Sequence, residues 1–402
     1  MRKIVIEKSS ETKVMKNIIK ILLVTYLIVT AMAVNAASMM EGFTDPEDGM
    51  FDVSHWLAEK KGFFPVPIII TEPAIGYGAG AALVFLHDPL AGRVPDGETF
   101  DPKSKNAEGK LVPPSISAVF GMYTENDTWM AGGSHLGVWK NDNIRYIGAL
   151  ATGSINIKIY RNILGNDLSI NTNIEPDILY QGLKFRLNGS GFFAGVNYLL
   201  LDTSSEVGLS FIDPEFKIKS SSRDAAVTFS LDYDSRDTIF TPGSGFNSSI
   251  EASLFRQAVG SDTDFEKYKA KVIYFTPMAD TFVLGLRGNI ETVEGGPDDI
   301  PFYLYPFVDL RGIPIMRYQG ETVGVAETEL RWNFTTRWSV LGFVGAGRTK
   351  GIAKDDPITT VYSKGAGLRY FIARRFGAHV GFDIAKGPED TAFYLQFGHA
   401  WR

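Results

Sequence analysis

In the segment Glu321-Thr322-Val323-Gly324-Val325-Ala326-Glu327-Thr328-Glu329-Leu330-Arg331-Trp332-Asn333-Phe334, side chains separate with a period of two. Leu330, Trp332 and Phe334 fall on one face. Glu321, Glu327, Glu329, Arg331 and Asn333 fall on the other. A two-residue period is the signature of a strand whose faces meet different environments. The same alternation recurs outward from this segment. Phe282, Leu284, Leu286 and Ile290 oppose Thr281, Arg287 and Asn289, and Tyr268, Ala270, Val272 and Tyr274 oppose Lys267, Lys269 and Lys271. Phe376, Ala378, Val380, Phe382 and Ile384 oppose Gly377, His379, Gly381 and Asp383.

Alternation also fits a soluble sandwich, so the connectors carry the distinction. Short turns (188–191, 277–280, 335–337, 373–375) alternate with longer polar loops (202–222, 294–320, 348–360). One tight rim and one ornate rim are expected of an outer-membrane barrel, whose closure also removes edges that lipid cannot satisfy. Strands are predicted near 75–86, 114–123, 127–138, 143–152, 154–162, 176–187, 190–201, 222–234, 243–256, 264–276, 280–293, 321–334, 336–348, 361–372, 375–386 and 391–401. The expected fold class is all-β, a 16-stranded antiparallel transmembrane β-barrel. Connector parity is the reason for dividing 143–162 into two strands.

The N-terminus reads as export. Lys16 and Lys20 precede the apolar run 21–34, and Val34-Asn35-Ala36 places small residues where a signal peptidase needs them. A signal anchor is the alternative, although the run is short for a helical span. The domain expectation is 1–36 as N-terminal extension and cleavable signal peptide, 37–73 as a short periplasmic lead segment with a helix over 53–60, and 74–402 as the barrel. The Phe63-Phe64-Pro65-Val66-Pro67 stretch is expected to be an extended lead into the first strand.

Composition narrows the function classes. The chain has no Cys, 5 His, 41 Gly, 12% aromatic residues and a net charge of -6. Absence of thiols excludes disulfide scaffolds and thiolate metal sites, and the acidic balance argues against nucleic acid as a partner. No metal site and no cofactor are expected. No nucleophile elbow, paired metal-binding histidine motif or phosphate loop is present, so no enzyme activity is expected.

Four local patterns, in order, resemble the barrel domain of the BamA/TamA outer-membrane assembly-factor superfamily, also called the bacterial surface antigen family. The first is Asp234-Ser235-Arg236-Asp237 followed by Pro242-Gly243-Ser244-Gly245, similar to a turn motif between central strands. The second is Leu310-Arg311-Gly312-Ile313 in the longest late loop, similar to the family's arginine-glycine-aromatic motif. The third is Glu327-Thr328-Glu329-Leu330-Arg331. The fourth is Phe343-Val344-Gly345-Ala346-Gly347, with Gly365-Ala366-Gly367-Leu368-Arg369 after it. The resemblance covers roughly 63–402. It implies that the long loop folds into the lumen, with Arg311, Gly312 and Ile313 as a loop-lock motif and Glu327, Glu329, Arg331, Gly345, Gly347 and Arg369 as its lumen partners.

A guanidinium fork in a polar lumen seeks carboxylates, and Glu327 or Glu329 is the expected partner of Arg311. The competing reading is a plain ladder of lumen charges. For Asp234, Arg236, Asp237, Pro242 and Gly245 the competing reading is a capped turn.

Four departures from the family pattern bear on function. Ile313 stands where an aromatic is usual, and Gly345 where Asp is common, which removes one expected partner of the arginine. The C-terminal Gln396, Gly398 and Trp401 resemble a barrel-insertion signal without its final aromatic. The 37–73 stretch is too short for a POTRA domain.

The resemblance implies a factor in the outer membrane of a Gram-negative bacterium. It would assist insertion or translocation of proteins or lipids through a weak seam between first and last strands. Partners would be outer-membrane lipid, unfolded outer-membrane proteins or a separate periplasmic protein. Gly76, Gly78 and Gly80 on one face of the expected first strand would weaken that seam, or would pack against the inward loop. The alternative is a passive pore or structural barrel without client-recruiting domains.

Overall fold

The computed structural model describes residues 43–59, 62–87, 112, 114–163, 166–208, 217–352 and 356–401. The expected signal segment lies outside them. Residues before 57 form a unit of their own, in which Asp45 and Asp52 accept backbone N–H groups of their turns and Thr44 pairs with Phe51. The short helix α1 (Ser54–Glu59) follows, within the expected 53–60.

The larger unit is a single sheet of sixteen strands, in which every sequential pair is antiparallel. They are β1 (Gly62–Ile70), β2 (Gly78–Leu86), β3 (Ile116–Thr124), β4 (Trp129–Trp139), β5 (Ile144–Ile163), β6 (Asn166–Arg186), β7 (Phe192–Gly208), β8 (Lys217–Asp234), β9 (Gly245–Phe255), β10 (Phe265–Ala279), β11 (Phe282–Glu294), β12 (Thr322–Asn333), β13 (Trp338–Lys350), β14 (Thr359–Ala373), β15 (Ala378–Lys386) and β16 (Thr391–Phe397). The sheet curls into a nearly closed barrel, and no ladder joins β1 to β16 among the described residues. The rim where β1 begins and β16 ends is called the terminal rim below, and the opposite one the loop rim.

The strand number matches the expected sixteen, but two assignments behind it change. The 143–162 region is one strand, β5, paired along its length with β6. Parity is restored instead at the N-terminal side, where the stretch read as a lead is β1. Its run Ile68-Ile69-Ile70 is β-branched and suits a strand, and its prolines are tolerated because β1 is an edge. Gly78 and Gly80 therefore lie on β2, away from the seam. A Cβ on Gly78 would come within 2.4 Å of the Tyr123 carbonyl, and one on Gly80 within 2.3 Å of the Gly121 carbonyl. Their role is close approach to β3, rather than a weak gate or a bed for the inward loop. The expected loop 202–222 is largely strand, because β7 and β8 pair from Phe192↔Tyr233 to Gly208↔Lys217. The expected last strand stops at Phe397, where Gly398 takes φ 78° and turns the tail away.

Burial follows the alternation. Leu286, Ile290, Leu330, Trp332, Val344 and Phe382 point outward and are exposed. Arg287, Glu327, Glu329, Arg331, Arg369 and Asp383 point inward and are buried. Such an exterior, with Trp332, Phe334 and Trp338 near the terminal rim, is an apolar belt with an aromatic girdle of the kind a bilayer requires. Charges have gone to the lumen because lipid cannot solvate them.

Candidate functional site

The lumen site is built from five neighbouring strands, β11 to β15, and one loop. Residues 295–321 leave β11 at the loop rim and fold back inside the barrel. Val308, Leu310 and Ile313 from this loop pack with Val323, Val325 and Val361 on the inner wall. Two wall glycines make room for them. A Cβ on Gly345 would lie 2.7 Å from Leu310 Cδ2, and one on Gly347 only 2.3 Å from Val308 Cγ1. At the tip, Gly312 has φ 86°, and a Cβ there would lie 2.9 Å from the Gly387 nitrogen. A left-handed conformation and close backbone approach both favour glycine.

The tip presents Arg311. Its Nε donates to Glu327 Oε1 at 3.0 Å, and its Nη2 donates to Glu327 Oε1 at 2.7 Å and to Glu329 Oε2 at 2.8 Å. Its Nη1 donates to Asp383 Oδ2 at 2.8 Å. The guanidinium also stacks on the Phe343 ring, 3.4 Å from its centroid. Both expected acids engage, so the choice between Glu327 and Glu329 does not arise. Asp383, on β15, is a partner that sequence reading missed. It supplies a third carboxylate although Gly345 has none, and Gly345 instead admits Leu310.

The surrounding groups complete the charge balance. Arg369 donates from Nη1 and Nη2 to Asp383 at 2.5 and 2.9 Å, and Arg287 donates from Nη2 to Asp309 Oδ2 at 2.5 Å. Arg287 also lies 3.6 Å from Glu327. Three guanidiniums thus meet three buried carboxylates, Glu327, Glu329 and Asp383, while Asp309, the further partner of Arg287, is exposed. Buried ions persist only when paired and hydrogen-bonded in this way. Arg331 does not join that network of pairs. Its Nη2 donates to the Pro242 carbonyl at 3.0 Å and so ties β12 to the turn between β8 and β9.

That turn behaves as a structural cap. Arg236 donates from Nε and Nη2 to the two Asp234 oxygens at 2.9 and 2.7 Å. Asp237 accepts the N–H groups of Thr238 and Gly243. Gly245 has φ 104°, with no room for a side chain beside Ser235. The turn also grips the C-terminal tail: His399 N–H donates to the Phe240 carbonyl at 2.6 Å. Arg236 Nη1 donates to His399 Nε2 at 3.1 Å. Burial, reinforced by the Arg236, Lys271 and Arg331 charges, pushes the His399 imidazole down to about 3, so it stays neutral and accepts.

Trp401 enters the lumen with the tail. Its Nε1–H donates to Glu327 Oε2 at 2.7 Å, and it is 2% exposed. Gln396 and Trp401 line a cavity of about 250 Å3 beside Arg311 and Glu327. The sequence placed Trp401 in a terminal strand. The turn at Gly398 moves it into the site.

The same loop reaches both sides of the unzipped seam. Ile315 N–H donates to Glu72 Oε1 in the β1–β2 turn at 3.1 Å. Two residues later, Arg317 Nε donates to Glu389 Oε1 and Oε2 in the β15–β16 turn at 2.8 and 2.9 Å, and Tyr318 Oη–H donates to Oε1 at 2.9 Å. Gly312 N–H donates to Tyr394 Oη on β16 at 2.9 Å. The Arg317 hydrogen bond holds the Glu389 carboxyl below its ordinary range, whereas burial raises that of Glu72. The loop therefore clasps the two turns that flank the seam.

Against this geometry, residues 164–307 match the Omp85 superfamily domain. That central stretch of the barrel is similar to an Omp85-superfamily domain. The chain's fold is similar to that of BamA from Haemophilus ducreyi lacking POTRA domains 1-3, at 13% identity and TM-score 0.54, covering 84% of this chain and 70% of that one. It is similar to CdiB from Escherichia coli at 12% identity and TM-score 0.55, covering 82% and 61%. CdiB from Acinetobacter baumannii aligns at 10% identity and TM-score 0.51, covering 84% and 60%. The chain thus spans less than two thirds of either CdiB. No curated protein matches the sequence.

Proposed function

We propose that this Omp85-like barrel works in the outer membrane of a Gram-negative bacterium as an assembly factor that assists insertion or translocation of proteins or lipids. The carrying observation is a combination. Among the described residues no ladder joins β1 to β16, while the loop that clasps the seam from inside is locked by Arg311 to three carboxylates. An unpaired edge in a bilayer leaves backbone groups unsatisfied, so a barrel that keeps one invites a strand or a lipid chain to approach it. The clasp would hold the seam at rest, and loosening it would let the edges part. Outer-membrane lipid would flank the seam, with unfolded outer-membrane proteins as clients. A separate periplasmic protein would deliver them if this chain recruits none itself.

The alternative, a passive pore, fits the lumen less well. The loop and the C-terminal tail fill the bore beside Arg311, leaving a cavity of about 250 Å3 there. Depletion of the protein followed by an inventory of outer-membrane proteins and lipids tests the proposal. Loss of particular barrels or lipids is expected. An unchanged inventory, together with large steady conductance in planar bilayers that Arg311→Ala does not alter, would establish the pore instead.

A further inference from the structure

Across β12 to β16 the outward faces are mostly apolar, and the charges they carry have one sign. They are Arg348 and Lys350 on β13, Lys364 on β14 and Lys386 on β15, all exposed. Every acid on these five strands, Glu327, Glu329 and Asp383, points into the lumen and is buried. A cation on a lipid-facing wall is costly at depth and cheap at the interface, so the set marks a rim. It is the loop rim, where β13 and β15 end and β14 begins.

Two of these cations oppose each other. Lys364 and Lys386 are partners across the β14–β15 ladder, and like charges placed directly opposite on a sheet repel. Lys350 is neutralised by Glu321 at 2.8 Å. Lys386 Nζ donates to the Glu389 carbonyl at 3.3 Å, and Lys364 has no carboxylate partner among the described residues. Two ammonium groups held side by side call for a shared anion.

Next to the pair, the outer wall is indented by a groove of about 820 Å3 that no carboxylate lines. Its floor is one row of the sheet in which Leu330 pairs with Gly342, Gly342 with Ala366 and Ala366 with Ile384. The lysines stand in the next row toward the loop rim, beside Val344. A Cβ on Gly342 would meet nothing within 4 Å, so strand packing does not require this glycine. What it leaves is room on the lipid side. The groove is thus apolar along its floor and doubly cationic at its loop-rim end, the complement of an amphiphile with an anionic head.

We propose that the outer wall of β12 to β15 holds a lipid with an anionic phosphate headgroup from the leaflet at the loop rim. The phosphate bridges Lys364 and Lys386, and an acyl chain lies over Gly342 and Ala366. Phosphate oxygens accept charge-assisted hydrogen bonds from both ammonium groups, and the lysine stems run along the apolar wall while their heads stay at the interface. The site needs only a barrel seated in a membrane, so it stands whether the barrel assembles clients or conducts.

The whole chain in a neutral detergent would be titrated with phosphatidylglycerol and with phosphatidylcholine, and bound lipid counted by native mass spectrometry. Each lysine beside an anionic headgroup counts for about fivefold, so phosphatidylglycerol should be retained roughly tenfold or more over phosphatidylcholine. Lys364→Gln with Lys386→Gln should abolish that preference. Gly342→Leu fills the groove and should weaken retention several-fold with both lysines in place, while Lys350→Gln removes a cation already paired and should leave retention unchanged. Heat-modifiable mobility would show that each variant folds. Equal retention of the two lipids, a preference that survives loss of both lysines, an equal loss in Lys350→Gln, or no effect of Gly342→Leu would overturn the proposal. Displacement of phosphatidylglycerol by inorganic phosphate would also overturn it, because the ligand would then be a bare anion.

Discussion

Arg311 is the residue on which the site converges. The residue is 8% exposed, and its guanidinium meets Glu327, Glu329 and Asp383 together, with Phe343 against its plane. Replacing it by alanine would strand buried carboxylates, and breaking such a pair from one side costs about 3–5 kcal/mol. Arg311→Ala should therefore lower the temperature at which the folded barrel loses its heat-modifiable mobility. Arg311→Lys should fall between, since an ammonium cannot reproduce the fork. An unchanged transition in both would show the lock to be ornamental. Gly347→Val is expected to push Val308 off the wall, since no space exists for even a Cβ. Overpacking of this kind costs about 1–3 kcal/mol, and protease should reach the loop in that variant before it reaches the wild type. These roles were partly legible in the sequence. Glu327 and Glu329 share a strand face, and the family resemblance brings the loop residue Arg311 to them, so the three could be paired from sequence. Asp383 and Trp401 were not legible as partners, because their approach depends on barrel curvature and on the turn at Gly398.

At the scale of elements, the inward loop acts through two arms whose acids respond oppositely to pH. Glu389 is held below its ordinary value of 4.5 by Arg317, so its contribution is present at neutral pH and is lost only as pH falls through that lowered value. Glu72 is raised by burial, so its charged form is the costly one and acidification relieves that cost. Between pH 7 and 5 the clasp should therefore not loosen. Only as pH falls through the lowered value of Glu389 should the Arg317 arm release. Spin labels at the β1–β2 and β15–β16 turns would report the separation, and widening already at pH 6 would contradict the assignment. Strand reading from sequence did best where one face is charged, as in β10 to β12. It did worst at β1 and β5. Pro65 and Pro67 disguise β1, and they become admissible only once the strand is known to be an edge. Strand β5 runs 20 residues, and connector parity divides it because the strand supplied by β1 reads in sequence as a lead.

For the whole molecule, the open seam and the stoppered lumen are two consequences of one layout. Sixteen strands pair in sequence order, and the chain's own loop and tail stand in for the missing last ladder. If the loop is the stopper, removing residues 298–319 should raise single-channel conductance several-fold in planar bilayers while the sheet persists by circular dichroism. Conductance equal to that of the intact chain would mean that the loop does not occlude the bore. Arg311→Ala should give an intermediate, flickering conductance, since it frees the tip and leaves the hydrophobic contacts of Val308 and Leu310 in place.

Period-two patterning, read together with the alternation of short turns and long loops, pointed without coordinates to an antiparallel barrel with a greasy exterior and a charged bore. Each strand face meets a single solvent, lipid or water, and a local alternation records that directly. Tertiary structure alone decided the third carboxylate on Arg311, the tail's entry into the lumen and the loop's clasp across the seam. Those depend on which distant segments curvature brings face to face, and that is not written in any single stretch of residues.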